Sequence, residues 1–180
     1  GECWFKVPES VKIILEDKAG KEISAKDVVL NLLARFGANT LLGYAVEIYG
    51  KAAEEMTLDQ RITISSMATE MGAIINFFPP SQEIIEYCAS RSKTAFTPVF
   101  ADKYAEYAET YSIDVSSFKL MVSRPGAPHD AVPADEVYGL KIDSGFIGSC
   151  TNGRMEDMLK AAEILKNRKV APGVVLKIVP

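Results

Sequence analysis

Long apolar runs are missing from this 180-residue chain, and none approaches the ~20 residues a membrane-crossing helix needs. The start, Gly1-Glu2-Cys3-Trp4, lacks the charged and then apolar layout of a secretory signal. It also lacks an initiator Met, so a processed or excised piece is expected. Cysteine is scarce: Cys3, Cys88 and Cys150 are too few and too scattered for a disulfide framework. A reduced, cytoplasmic setting is the expectation. The one histidine, His129, cannot build a zinc site alone, and no Ser/His/Asp set, Walker loop or GxGxxG occurs. Basic excess is absent too. Lys and Arg total 20 against 24 Asp and Glu, a net charge of −4 with pI near 5.2, which argues against a nucleic-acid footprint. Neither nucleic acid nor membrane is expected as a partner.

What is present is globular: 48% hydrophobic and 24% charged residues, with no repeat and no low-complexity tract. A chain of this size buries enough surface to hold a core without staples. The stretch ending in Lys12-Ile13-Ile14-Leu15-Glu16 reads as a strand. Ser24 and Asp27 form a near capping box ahead of a helix that Gly37 stops. Tyr44 to Tyr49 alternates and reads as another strand. Thr57 and Gln60 make a second capping box, and the apolar segment Arg61 to Ile75 behind it reads as a mostly buried helix. Ser81 caps a helix to about Ala89. Tyr104, Tyr107 and Tyr111, at i, i+3 and i+7, suggest a partly helical stretch from Asp102 with a packing stripe.

Three prolines within Ser123 to Pro133 exclude regular helix or central strand there. The segment reads as a linker, with a domain boundary near Asp135. Beyond it, a strand at Ile142–Gly148, a helix over about Arg154–Asn167 and a buried-type strand at Val174–Val179 make a β-α-β unit, so parallel pairing is expected.

The best site candidate is Gly148-Ser149-Cys150-Thr151-Asn152-Gly153-Arg154, between a strand's end and a helix's start, where open α/β sheets place ligands. Unpaired N–H groups there favour negative charge, including the thiolate that binds metal or attacks. Ser149, Thr151, Asn152 and Arg154 add donors. A polar turn around a small buried cysteine is an equal reading from the residues alone. Glu70, a carboxylate among apolar neighbours, is the second candidate: it is either paired or metal-bound, or simply an exposed helix position. Cys3 and Cys88 read as structural.

Phe146-Ile147-Gly148-Ser149-Cys150-Thr151-Asn152-Gly153-Arg154-Met155-Glu156-Asp157 resembles the cluster-binding signature of the aconitase superfamily. With Gly-Arg after Cys-Thr-Asn it is similar to the large-subunit branch of the 3-isopropylmalate dehydratases and archaeal homoaconitases. Trp4 to Ser10, Ser24 to Asp27 and Ile62 to Ala73 resemble the family in the same order, so the resemblance covers essentially the whole chain. It implies a three-layer α/β/α aconitase-type domain over residues 1–134 and the first β-α-β unit of the next, cluster-binding domain over 135–180. It further implies a hydro-lyase of amino-acid (leucine) biosynthesis. Such an enzyme isomerises a hydroxy acid by removing and re-adding water at a [4Fe-4S] cluster, beside a small swivelling-domain subunit. Cys150 matches the first cysteine ligand and Glu70 the active-site glutamate. Asn152 matches a polar position beside the cluster, and Ser66 stands where many members carry Asn.

The family's second and third cysteine ligands form a C-x-x-C that this sequence does not contain, and Cys3 and Cys88 lack that spacing. The domain carrying the family's active-site histidines is not found either. A central fragment, inactive and without a complete cluster on its own, is therefore expected. Homoaconitate, citrate or dimethylmalate chemistry on the same scaffold is one alternative. A non-catalytic anion-binding α/β module is another.

Overall fold

The computed structural model describes residues 2–179; Gly1 and Pro180, the two ends of the sequence read above, lie outside the described residues. β1 (Ser10–Glu16) buries Val11, Ile13 and Leu15 and leaves the intervening side chains half-covered. That period-2 alternation gives the strand one fully packed face. It pairs in parallel with β2 (Ala45–Tyr49) on one side and with β4 (Glu109–Asp114) on the other; β3 (Ile75–Phe77) extends the sheet beyond β2, in the order β3-β2-β1-β4. Val11 lies beside Val46 and Ile13 beside Ile48, so the apolar rows run in register across the sheet.

Parallel strands need crossovers, and helices supply them. α1 (Ala25–Phe36) begins as expected: the Ser24 hydroxyl accepts from the Asp27 N–H, and the Asp27 carboxylate accepts from the Ser24 N–H at 3.0 Å. Its buried face (Val28, Val29, Leu32, Leu33, Phe36) lies in the same core cluster as β1 and β2. A single turn, α2 (Lys51–Glu54), precedes α3 (Leu58–Ser65), which carries the expected Thr57–Gln60 capping box.

The expectation of one helix through Ile75 is corrected. α3 stops at Ser65, a 3-10 turn occupies Thr69–Met71, and the chain then enters β3. Gly72 makes the reversal: its φ is 78°, and a Cβ there would lie 2.4 Å from the Ala38 carbonyl oxygen. Ile64, Met67, Met71 and Ala73 still reach the core, so burial survives the break in helical periodicity. α4 (Gln82–Arg91) starts at the expected Ser81 cap.

The helical reading of Asp102–Tyr111 is also corrected, because that stretch leads into β4. Its three tyrosines share no face. Tyr104 is exposed, Tyr107 donates to Glu47 at 2.8 Å, and Tyr111 meets Phe36 edge-on at 5.0 Å between ring centroids. Pairing with β1 outweighs a spacing that suits a helix equally well.

The proline-rich segment is more than a linker. β5 (Met121–Ser123) and β6 (Ala131–Pro133) form an antiparallel hairpin closed by Arg124 and Asp130, whose contacts are 3.0 and 2.6 Å. The hairpin is tied to α1: Asn31 donates to the Lys119 carbonyl at 2.9 Å, and the Met121 N–H donates to Asp27 at 3.0 Å.

β7 (Ser144–Gly148) and β8 (Val175–Val179) pair in parallel around α5 (Ser149–Asn152) and α6 (Met155–Leu165), the expected β-α-β unit. The expectation that β8 is buried is corrected. Val175, Ile178 and Val179 are exposed, because among the described residues β8 pairs only with β7. The whole is a mixed α/β structure with parallel sheets flanked by helices.

Candidate functional site

The strand-to-helix corner at β7 is held by backbone that few residues tolerate. At Gly148 φ is 152°, and a Cβ would fall 2.1 Å from the Val179 carbonyl oxygen. Ser149 takes φ 75°, a left-handed conformation that costs a non-glycine residue of order 1 kcal/mol or more. This corner presents Ser149, Cys150 and Thr151 to an open groove of about 510 Å³. Glu70 and Met67 reach the same groove from the turn that follows α3. Lys26 and Leu30 reach it from α1, and Arg124 from the hairpin.

Four of the seven residues singled out from sequence therefore share one groove: Glu70, Ser149, Cys150 and Thr151. Cys150 is exposed, so the reading of it as a small buried cysteine is excluded. Glu70 sits half-buried in a 3-10 turn rather than in a helix, and the Thr69 hydroxyl donates to its Oε2 at 3.0 Å. Its Oε1 has no side-chain partner among the described residues.

The other three candidates are engaged elsewhere. Ser66 donates to the Thr63 carbonyl at 2.8 Å and ends α3. Asn152 donates to Asp157 at 3.2 Å, bracing the start of α6. Arg154 reaches Asp59 of α3 at 3.2 Å and so joins the β7–β8 unit to the four-stranded sheet's helices. Beside that contact, burial pushes the Glu156 carboxyl above the ordinary range, with Asp59 and Asp157 adding to the effect.

Sequence reasoning missed two cations of the groove, Lys26 and Arg124. Arg124 forms a bidentate pair with Asp130, whose carboxyl is held below its usual range chiefly by that hydrogen bond. Lys26 makes no ion pair and no hydrogen bond through its amine among the described residues. Neither had a local signal: one lies within a capping motif, the other in a stretch dominated by prolines.

The family model described as Aconitase family (aconitate hydratase) matches residues 1–139 and 133–180. The chain belongs to the aconitase family. It is 41% identical over all of its 180 residues to a 3-isopropylmalate dehydratase large subunit of Acetivibrio thermocellus, covering 43% of that protein. A Hydrogenobaculum large subunit is likewise 41% identical with 42% of its length covered, and large subunit 1 of Methanopyrus kandleri is 38% identical with 43% covered. The chain thus spans less than half the length of these relatives.

Membership implies a [4Fe-4S] cluster in full-length members, and the motif resemblance implies three cysteine ligands for it. Cys150 suits one corner: it is exposed, opens on the groove and shares it with a carboxylate. Cys3 and Cys88 do not join it, and among the described residues no three His, Cys, Asp or Glu side chains gather as a metal-binding group. The donor set fits one ligand of a cluster and does not fit a whole one. No helix of the described residues is long and apolar enough to cross a membrane.

Proposed function

We propose that this chain is the part of an aconitase-family hydro-lyase that supplies one cluster ligand, Cys150, and one proton-handling carboxylate, Glu70. We further propose that the complete protein works as a large subunit beside a small swivelling subunit. The substrate class is a 2-hydroxy dicarboxylate, with 3-isopropylmalate favoured because the relatives are 3-isopropylmalate dehydratase large subunits. In this reading residues 1–134 form the central domain and residues 135–180 open the cluster-binding one. A bound cluster would supply Lewis-acid polarisation of a hydroxyl and its neighbouring carboxylate.

The chain's own part is positional. The Gly148–Ser149 corner turns the Cys150 thiol into the groove. Glu70 reaches the same space with Oε2 fixed by Thr69 and Oε1 open, which suits it to hold a proton at Oε1 and pass it to a departing hydroxyl. Ser149 and Thr151, whose hydroxyls lie 3.3 Å apart, add donors beside the thiol. The observation that carries the reading is the shared groove of Glu70 and Cys150, two residues 80 positions apart in separate motifs of the family.

The test is Cys150→Ser in the full-length subunit, with the iron–sulfur absorbance band and iron content as readouts. Loss of the band with fold retained is expected. An unchanged spectrum would leave an anion-binding α/β module as the better reading. The isolated 180-residue chain is expected to show neither a full cluster spectrum nor dehydratase activity.

A further inference from the structure

Lys26 is placed against its electrostatics. It is the second residue of α1, inside the first turn, where the helix dipole presents positive charge and a cation is disfavoured. It is half-buried, so water screens it only in part. No carboxylate answers it among the described residues, although Lys18, Arg124, Lys141 and Arg154 all have acidic partners. The nearest acidic neighbour in sequence, Asp27, is fully used by the Ser24 cap and the Met121 N–H. Lys26 nevertheless lines the groove that holds Glu70 and Cys150. Of the groove's two cations, Arg124 is already neutralised by Asp130, which leaves one positive charge open to that space.

We propose that Lys26 is a substrate-binding residue whose ammonium pairs with a carboxylate of the bound hydroxy acid. The inference rests on the hydro-lyase reading for the identity of the acid, but the charge placement stands on its own. A half-buried cation held against a dipole gains most from an anion that arrives with the ligand. An ammonium offers three donors without fixed geometry, so a carboxylate at the end of a flexible acid meets it without strict orientation.

The experiment titrates the full-length subunit with 3-isopropylmalate and with its neutral dimethyl ester, following the heat of binding by calorimetry. Wild type, Lys26→Met and Lys26→Arg are compared, with circular dichroism as the fold control. Lys26→Met is expected to weaken binding of the diacid about tenfold or more, whereas Lys26→Arg keeps it within about threefold. The ester should bind the wild type and the Met variant alike. Lys26→Met should also raise the melting temperature of the unliganded chain by roughly 1–2 °C, since a dipole-opposed charge has gone. Equal affinity of wild type and Lys26→Met for the diacid would overturn the proposal, as would no diacid binding by the wild type. Either result leaves the Cys150→Ser absorbance test intact, so failure here and failure of the hydro-lyase reading are told apart.

Discussion

Glu70 is held by one side-chain contact, from the Thr69 hydroxyl, and is only half-buried. Little of the fold depends on it. Glu70→Gln should therefore change stability by no more than about 0.5 kcal/mol by chemical denaturation. In the full-length subunit the same change should cost roughly 100-fold or more in turnover, as expected when a positioned proton carrier is removed. A large stability loss with little change in rate would place Glu70 in the scaffold instead. Gly148 is the opposite case. A methyl group there meets the Val179 carbonyl oxygen at 2.1 Å on a backbone that already needs glycine. Gly148→Ala should cost on the order of 1–3 kcal/mol locally and part β8 from β7, visible as lost amide protection in Val175–Val179.

At the scale of elements, α1 bears several duties. Asp27 closes the capping box with Ser24 and also receives the Met121 N–H, which ties the β5–β6 hairpin to the helix. Asp27→Ala should destabilise by about 1–2 kcal/mol, more than Ser24→Ala at about 1, because two attachments go at once. Urea melts of the two variants decide this.

β1, β2 and Tyr107, just ahead of β4, carry a second cluster on the sheet's less covered face. Glu47 accepts from Tyr49 at 2.7 Å and from Tyr107 at 2.8 Å, and Lys12 lies 4.4 Å from the Tyr49 ring centre. Burial first, and then the bonds to Tyr107 and Glu47, push the Tyr49 phenol far above its ordinary range. A raised phenol holds its proton more tightly in the folded state. The stability it adds is complete below about pH 10, where the unfolded phenol titrates, and is lost as pH climbs past that point. Tyr49→Phe should flatten the fall in stability above about pH 10, measured by denaturation at a series of pH values. These elements were legible to different degrees. The caps at Ser24, Thr57 and Ser81 each show as a side-chain oxygen next to an apolar run, and all three form. β3 and β4 were missed because three residues between breaks, or tyrosines at helical spacing, carry no period that separates strand from helix. Their pairing with β2 and β1 is a long-range fact.

At the scale of the molecule, the core is uneven. The buried cluster runs from Val11 to Val115, whereas from Ser144 onward only Gly148 is buried among the described residues. Phe146, Met155, Leu159, Ile164, Val175 and Ile178 are exposed. A two-stranded unit with a single-turn helix and one longer helix has little apolar burial to oppose its chain entropy. Amides of β7 and β8 should exchange through local opening, orders of magnitude faster than those of β1 and β2, which should exchange only on global unfolding. Hydrogen exchange by mass spectrometry checks this, and equal protection in both regions would contradict it.

The residues alone determined the parallel β-α-β unit after residue 142, the first two strands, the helix starts and the four motifs of the aconitase family. Each of these is written in short-range spacing or in a string of residues read whole. Only the tertiary structure decided that α3 stops at Ser65, that the proline-rich stretch folds back on α1, and that Arg154 joins two sheets rather than facing the groove. It alone placed Lys26 and Arg124 beside Glu70 and Cys150. The physical reason is that a groove is made where distant segments meet, and the charge balance within it depends on partners that local sequence does not name.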